Sequence, residues 1–372
     1  MIPINKPWLG NEEKQEVLNI LEENILTSPA NDGGKRVQEF ENALQSYINV
    51  KHVIAVNSGT SALHASLLSI GVKQGDEVIL PSFTFVATAN SVMAAGAKPI
   101  FADINQQDYT IDILDMEKKI NRNTKAIIPV HLYGHPANMN EINSIARKHS
   151  LFVIEDACQS LGSTYFQKQT GALSDIGCFS FYASKVITTG EGGAIATNND
   201  DFAEKLKMIR NHGMIHGYDT AIFGLNLRLP ELSAGIGKIQ MRKLEKMLKM
   251  RRNNADILSN GLKKFEQINS GINLPKETMD KKFNWYLFTV GFKDKNNRDL
   301  IKNHLTNEGI GALVYYDPPV HETPFYEDFE SLSNDTLPNT VWAWHHTLSL
   351  PVHPLVTEND LNKIIKIFET YI

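Results

Sequence analysis

The chain has 372 residues, of which 42% are hydrophobic and 21% are charged, and its formal net charge is −5. These values are ordinary for a globular protein, and the negative balance argues against nucleic acid as the main partner, because nucleic-acid binding favours a basic surface. Two cysteines make no disulfide framework. The sequence has no signal-peptide pattern and no apolar run of about 18 residues, so we expect a cytoplasmic protein outside the membrane.

Short apolar runs alternate with helical patterns through the first two hundred or so residues. We predict strands at HVIAVN (52–57), DEVILPS (76–82), KPIFADI (98–104), KAIIPVHLY (125–133), LFVIEDA (151–157), GCFSF (177–181) and GGAIATN (192–198). We predict helices at SALHASLLSI (61–70), TFVATANSVMAAG (84–96), MNEINSIARKHS (139–150) and DDFAEKLKMIRNHG (200–213). Continuous Val and Ile runs separated by helices are typical of parallel strands covered on both faces. The predicted fold class is therefore α/β, with a large, doubly wound, mostly parallel sheet.

A long helical pattern over residues 230–262 precedes a smaller α+β domain. That domain contains a predicted strand at FNWYLFTVGF (283–292) and a predicted closing helix at ENDLNKIIKIFETYI (358–372). We place the boundary near residue 250, which gives a large domain over 1–250, including the N-terminal segment, and a small domain over 251–372.

In open α/β sheets, binding sites gather at the carboxyl ends of the strands. After the first predicted strand, Gly59, Thr60 and Ser61 open a helix, where free N–H groups and hydroxyls suit a phosphate. Plain N-capping explains the same residues. Phe85 follows the second strand and could stack on a flat ligand, although such rings are more often part of the core.

Two further strands end in residues that carry chemistry. Asp156 and Gln159 follow LFVIE, and an acid at the end of a buried strand must be paired or hydrogen-bonded. A structural ion pair is the alternative interpretation of that acid. Ser180 and Lys185 follow GCF, just before the glycine-rich GEGG stretch. His131 and His135 are four residues apart, but no acid completes a metal set, and we expect no metal site.

Together these residues offer a phosphate site, a ring face, an acid for a cationic nitrogen and an amine nucleophile. Pyridoxal 5′-phosphate needs those four features: its aldehyde bonds a lysine, and an acid at its pyridine nitrogen keeps the ring an electron sink. Each signal is weak by itself, but their joint occurrence in this order favours that cofactor.

The sequence resembles the DegT/DnrJ/EryC1/StrS sugar aminotransferases, which are fold type I pyridoxal phosphate enzymes. The resemblance runs over nearly the whole chain and depends on seven blocks: NSGTSALH (57–64), GDEVILPSFTFVATANSV (75–92), PVHLYGHPANM (129–139), VIEDACQSLG (153–162), GCFSFYASKVITTGEGGAIAT (177–197), FGLNLRLPELSAGIGKIQ (223–240) and YYDPPVHETPFY (315–326).

The resemblance implies a role for each matching residue. Lys185 matches the Schiff-base lysine, Asp156 the partner of the pyridine nitrogen, and Gln159 a residue near the ring. The matching phosphate ligands are Gly59, Thr60 and Ser180, with Ser61 as a further candidate. Phe85 matches an aromatic residue that stacks on the ring.

The resemblance also implies a homodimer with shared active sites. Asn226 matches an asparagine that reaches the phosphate of the other subunit's cofactor. Arg228 matches a position that meets an anion of the donor or of the nucleotide, or else forms a structural ion pair. His321 matches a position that faces the sugar. His135 departs from the pattern, since the family usually has Gln there, and the role of Glu191 stays open.

The function implied is transfer of an amino group from an amino acid, most simply L-glutamate, to a keto-sugar attached to a nucleotide. The product would be an amino-sugar for a surface glycan or a secondary metabolite. Family members that act as dehydratases carry His at the lysine position, so Lys185 argues against that activity. An aminotransferase that acts on amino acids, and a regulator that binds the cofactor without turnover, remain as alternatives.

Overall fold

The computed structural model describes residues 1–267, 271–327 and 336–372. Its helices are α1 (Asn11–Glu23), α2 (Lys35–Ile48), α3 (Gly59–Ser69), α4 (Ala87–Ala94), α5 (Ile113–Lys118), α6 (Met139–His149), α7 (Asp200–Arg210), α8 (Glu231–Leu262), α9 (Lys295–Asn307), α10 (Pro338–His346) and α11 (Glu358–Tyr371). Its strands are β1 (His52–Val56), β2 (Glu77–Pro81), β3 (Lys98–Ala102), β4 (Thr124–Ile127), β5 (Phe152–Asp156), β6 (Thr164–Tyr165), β7 (Lys168–Gln169), β8 (Ile176–Ser180), β9 (Gly193–Thr197), β10 (Met214–His216), β11 (Asp219–Thr220), β12 (Ile272–Asn273), β13 (Lys281–Lys282), β14 (Phe288–Phe292) and β15 (Thr347–Leu350).

A seven-stranded sheet in the order β1-β9-β8-β5-β4-β2-β3 forms the centre of the fold. Strands β8, β5, β4, β2 and β3 are parallel to one another, whereas β9 is antiparallel to both β8 and β1. Parallel neighbours need a long crossover connection. Residues 181–192 contain no helix that could provide one, so β9 returns antiparallel. The predicted mostly parallel α/β fold is confirmed.

Helices cover both faces of this sheet because each buried strand is apolar on both sides. In β1, Val53 and Ala55 pack with α2 and the first half of α8, through Phe40, Leu44 and Leu244. Ile54 and Val56 face the other way and pack with α3, α4 and α7, through residues such as Leu63, Val92 and Leu206. The fold therefore has three layers, a sheet between two layers of helices. The helices cover the two faces of the sheet but not the ends of its strands.

Helix α8 belongs to two cores. Leu244 and Met247 pack in the core under the large sheet, whereas Leu258 and Leu262 pack in a separate core with β14, β15, α9 and α11. Strands β12, β14 and β15 form a three-stranded sheet of that second core. The predicted boundary near residue 250 falls inside this helix, and the division into two domains stays a prediction.

Two strand predictions extend too far. The predicted strand over 125–133 ends at Ile127 in β4, because Pro129 cannot donate to a ladder, and a 3-10 turn follows at Leu132–Gly134. The predicted strand over 283–292 begins only at Phe288, since Trp285 has a positive φ of 53° and leaves the extended region. In the described part of the chain, no helix combines the length and apolar character that crossing a membrane requires.

Candidate active site

A cavity of about 590 Å³ opens where the carboxyl ends of β1, β5 and β8 meet the loop after β2. Residues at the ends of the large sheet's strands line one side of the cavity. Tyr286, Tyr315 and Tyr316, from the C-terminal part of the chain, line it as well. Its lining residues are Ser58, Gly59, Thr60, Leu63, Thr84, Phe85, Ala87, Thr88, Asp156, Cys158, Gln159, Ser180, Tyr182, Ser184, Lys185, Glu191, Tyr286, Tyr315 and Tyr316. The sheet thus brings together seven predicted site residues: Gly59, Thr60, Phe85, Asp156, Gln159, Ser180 and Lys185.

Asp156 is the last residue of β5 and is only 5% exposed. Its Oδ2 accepts a hydrogen bond from Thr88 Oγ1 at 2.8 Å, and its Oδ1 accepts one from Cys158 N at 3.2 Å. Among the described residues no cation forms an ion pair with it, although buried charges are normally paired. A buried carboxylate that faces a cavity without a cationic partner suits a cationic ligand.

The neighbouring acid, Glu155, has the opposite role. It is fully buried, and its carboxylate accepts bonds from Gly171 N at 2.6 Å, from Leu173 N at 2.7 Å and from His131 Nε2 at 2.9 Å. His131 Nδ1 accepts from Ala137 N, so the proton lies on Nε2. Glu155 and His131 therefore join two loops behind the cavity.

Lys185 lies on the stretch between β8 and β9, and its backbone N–H donates to Tyr182 O at 2.9 Å. Its Nζ lies 4.9 Å from the centre of the Tyr286 ring. Lys185 is partly buried and makes no ion pair within the described ranges, whereas the buried Lys281 pairs with Asp108. The amine is thus free to bond a ligand in the cavity.

Helix α3 points its N-terminus at the same cavity. Ser58 caps this helix, and its Oγ accepts from Ser61 N at 3.0 Å. The N–H groups of Gly59 and Thr60 are left without helix partners, as the first N–H groups of a helix are. A Cβ on Gly59 would lie 2.8 Å from Ser180 Cβ and 2.9 Å from Cys158 Sγ, so no larger side chain fits. Free N–H groups at a helix start are suited to an anion.

Ser61 does not line the cavity. Its hydroxyl donates to Asn57 Oδ1 at 2.6 Å and accepts from Ser58 Oγ at 2.9 Å, so it belongs to the cap of α3.

Gln159 and Phe85 lie on the walls of the cavity. Gln159 Oε1 accepts from Tyr133 N at 2.8 Å, and its Nε2 donates to Tyr316 Oη at 3.0 Å, so the side chain is fixed in place. The Phe85 ring is 55% exposed and lies 5.9 Å from the Tyr316 ring. An exposed ring at a cavity rim is a surface for a flat ligand to stack on.

Asn226, Arg228 and His321 lie outside this cavity lining. Asn226 is exposed, and Arg228 donates to Asn211 Oδ1 at 2.7 Å. His321 lies next to the loop after β2, with its Nδ1 2.6 Å from Ser82 Oγ. Burial lowers the pKa of His321, so its ring is mainly neutral near pH 7.

Sequence reasoning missed Thr88, Cys158, Tyr286, Tyr315 and Tyr316 as lining residues. Burial raises the pKa of Tyr316 well above its usual value, and the pKa of Tyr315 to about 12, so both remain hydroxyl donors at neutral pH. The two tyrosines stand in the quoted block at 315–326, which was the available signal. Nothing marks Tyr286 as different from a strand residue.

A model of the DegT/DnrJ/EryC1/StrS aminotransferase family matches residues 7–369 of the chain. The chain belongs to this family. It is accordingly an aminotransferase of fold type I, in agreement with the sheet order and the position of the cavity.

Individual members of the DegT/DnrJ/EryC1/StrS family are similar over nearly their full length. A GDP-perosamine synthase of Caulobacter vibrioides is 35% identical, over 98% of this chain and 96% of that protein. A dTDP-3-amino-3,4,6-trideoxy-alpha-D-glucose transaminase of Streptomyces venezuelae is 37% identical, over 89% of this chain and 86% of that protein. The crystal structure of Bacillus subtilis NtdA with bound cofactor PMP has a TM-score of 0.89 and 33% identity, covering 98% of this chain and 83% of that chain.

Proposed function

We propose that this protein binds pyridoxal 5′-phosphate in the cavity and transfers an amino group from L-glutamate to the keto carbon of a nucleotide-linked sugar. One observation carries the proposal: the same cavity is lined by the buried carboxylate of Asp156 and the amine of Lys185, and neither has an ion-pair partner among the described residues. The names of the two relatives support the sugar substrate, and PMP, the amine form of the cofactor, in the Bacillus subtilis structure supports the cofactor.

The residues that line the cavity match the chemical groups of the cofactor. The cofactor's phosphate needs N–H and hydroxyl donors, which Gly59 and Thr60 offer at the start of α3 and Ser180 offers at the end of β8. Its protonated pyridine nitrogen needs a carboxylate, which Asp156 offers at the end of β5. When bound, the cofactor supplies an aldehyde that bonds amines and a ring that accepts electrons.

Each side chain then has a defined task. Asp156 holds the proton on the pyridine nitrogen, because its carboxylate has no other cation to neutralise it. Gln159, fixed by Tyr133 and Tyr316, would orient the ring, and Phe85 would offer its exposed face for stacking. Lys185 Nζ would take the proton from the donor's α-carbon and deliver it to the cofactor's former aldehyde carbon, because no carboxylate among the described residues holds the amine. The amino donor and the keto-sugar occupy the cavity in turn.

We propose further that the active form is a homodimer in which Asn226 and Arg228 reach the partner's cavity. Asn226 is exposed in the single chain, and large apolar side chains near it are exposed as well, including Phe223 at 68% and Ile215 at 55%. Large exposed apolar side chains on one segment are typical of an interaction site. A second copy would cover it and place both polar residues near anionic groups.

The first test of the activity supplies glutamate, cofactor and a panel of keto-sugars linked to GDP, dTDP or UDP. We expect 2-oxoglutarate to form, and one sugar to gain an amino group by mass. A visible absorption band should appear on adding cofactor and be absent in Lys185→Ala. Lys185→Ala that transaminates at the wild-type rate would contradict the proposed mechanism. If glutamate is consumed and a keto acid is aminated but no sugar is, the protein is better described as an amino-acid aminotransferase. If there is no turnover at all, a regulator is favoured.

The shared site has a test of its own. Lys185→Ala and Asn226→Asp are each expected to be inactive, the second because a carboxylate repels phosphate. When the two variants are mixed in equal amounts and allowed to exchange subunits, half of the dimers are mixed and each has one intact site. Activity should return to about a quarter of the wild-type value. No recovery, with exchange confirmed by native mass spectrometry, would argue against sharing.

A further inference from the structure

Tyr286 contacts the proposed catalytic lysine directly. Its ring lines the cavity and is only 6% exposed, and Lys185 Nζ lies 4.9 Å from the ring centre. Its hydroxyl lies 3.2 Å from Ser184 Oγ, on the residue that precedes the lysine. A cation near the face of a tyrosine ring is attracted by the ring's quadrupole. The aromatic face is therefore a holding surface for the lysine's amine.

The segment that carries this ring is tied to the loop after β5. Asn284 Nδ2 donates to Gln159 O at 2.9 Å and to Leu161 O at 3.0 Å. Its Oδ1 accepts from Tyr286 N at 2.9 Å. Asn284 thus joins the backbone of the ring-bearing residue to the loop that follows Asp156 and carries Gln159.

Arg251 of α8 also holds the segment that carries Tyr286, through hydrogen bonds to its backbone. Arg251 is 1% exposed, and its Nη1 donates to Trp285 O and to Tyr286 O, both at 3.2 Å. Burial lowers the pKa of Arg251 to about 10, which keeps the guanidinium charged at neutral pH. It makes no ion pair among the described residues, so its charge acts on backbone carbonyls instead of on a carboxylate.

The backbone between these two anchors is unusual. Trp285 has a φ of 53°, in the left-handed region that residues other than glycine rarely adopt. Such residues persist where the surroundings over-determine them, and they cluster at functional sites. The hydrogen bonds from Asn284 and Arg251 to the adjoining backbone hold Trp285 in this conformation.

We propose that Tyr286 is a catalytic residue whose ring holds the amine of Lys185 when that amine is not bonded to cofactor, and that Asn284 and Arg251 position the ring. This inference rests on the proposed function, since it needs Lys185 to be the proton carrier. When Lys185 takes the donor's α-proton it becomes an ammonium ion, and the ring face stabilises that charge. The ring hydroxyl contributes through Ser184 only, so loss of the ring matters more than loss of the hydroxyl.

The test compares Tyr286→Leu, which removes the ring, with Tyr286→Phe, which keeps it. In cofactor-free protein, an amine-reactive reagent such as trinitrobenzenesulfonate should label Lys185 several-fold faster in Tyr286→Leu than in Tyr286→Phe or wild type, as measured by peptide mass spectrometry. With glutamate, kcat should fall about 3- to 30-fold in Tyr286→Leu and less than about 3-fold in Tyr286→Phe. The isotope effect with α-deuterated glutamate should rise in Tyr286→Leu alone.

Equal labelling and equal isotope effects in the two variants would overturn the role of the ring. A wild-type protein without glutamate turnover would instead refute the proposed function, and the labelling comparison would still decide whether the ring holds the amine. For the positioning role, a folded Arg251→Met variant should raise Lys185 labelling in the direction of Tyr286→Leu. Should that variant fail to fold by circular dichroism, Asn284→Ala provides the same test. Unchanged labelling in the folded variant would remove that role.

Discussion

The hydroxyl of Thr88 is the side-chain donor that fixes the Asp156 carboxylate, so its removal tests how the site works. Thr88 Oγ1 donates to Asp156 Oδ2 at 2.8 Å, and both groups are buried. Thr84 Oγ1 lies 3.0 Å from Thr88 Oγ1. Because the Thr88 proton is committed to the carboxylate, Thr84 is the donor in the second bond. A chain of two hydroxyls therefore ends at the carboxylate.

Thr88→Val keeps the shape of the side chain and removes this bond. Asp156 is left with Cys158 N at 3.2 Å, and Thr84 loses its acceptor. A hydrogen bond to a charged group contributes about 1.5–3 kcal/mol, which corresponds to roughly 10- to 150-fold in rate. We expect a fall of that size in the single-turnover rate of glutamate deamination, because the carboxylate loses the donor that fixes it towards the pyridine nitrogen.

The assay measures 2-oxoglutarate formed in one turnover at saturating cofactor. Thr88→Ser keeps the hydroxyl and should stay within about 3-fold of wild type, and Thr84→Val, which leaves the bond to Asp156 in place, should do so as well. A Thr88→Val enzyme within 2-fold of wild type, or a Thr88→Ser enzyme as slow as Thr88→Val, would refute the reasoning.

Two further predictions concern cofactor binding and pH. Gly59→Ala places a Cβ 2.8 Å from Ser180 Cβ, so cofactor affinity should fall at least about 10-fold by fluorescence titration, whereas Gly10→Ala, at the start of α1, should leave affinity unchanged. Burial lowers the pKa of His135 to about 4, from about 6.5 in an unfolded chain. Below about pH 6.5 the unfolded chain binds a proton at this ring and the folded protein does not. The free energy of unfolding is therefore unaffected above about pH 6.5 and falls as the pH drops towards 4. Between pH 8 and pH 5, urea unfolding should show wild type losing about 2 kcal/mol more than His135→Gln; equal losses would contradict this.

The sequence was informative where chemistry follows a buried strand. Asp156 and Ser180 end β5 and β8, and Gly59 opens the helix after β1, so the topology of a parallel sheet brings them to one edge. Lys185 lies near the same edge because it comes only five residues after Ser180 in the chain. The family resemblance added Asn226, Arg228 and His321, whose proposed roles depend on a partner chain or a substrate and not on the cavity of a single chain.

The remaining parts of the site depend on tertiary packing that a linear pattern does not encode. Tyr286 stands in an aromatic run that predicts a strand over its whole length, yet β14 begins at Phe288. The departure arises from two distant parts of the chain: the loop at Gln159 and Leu161, which Asn284 bonds, and Arg251, which donates to Tyr286 O. Thr88 likewise reads as an ordinary helix residue until β5 places an acid beside it. Similarly, the antiparallel β9 follows from a short connection and not from its composition.

The central claim is that one cofactor bonds the amine of Lys185 while its ring faces Asp156. The most direct measurement reduces the cofactor-loaded protein with borohydride, digests it, and locates the added mass by peptide mass spectrometry. The account predicts a single modified peptide with the cofactor on Lys185, and none in Lys185→Ala. Modification of another lysine in the wild-type protein, or undiminished modification in Lys185→Ala, would contradict it.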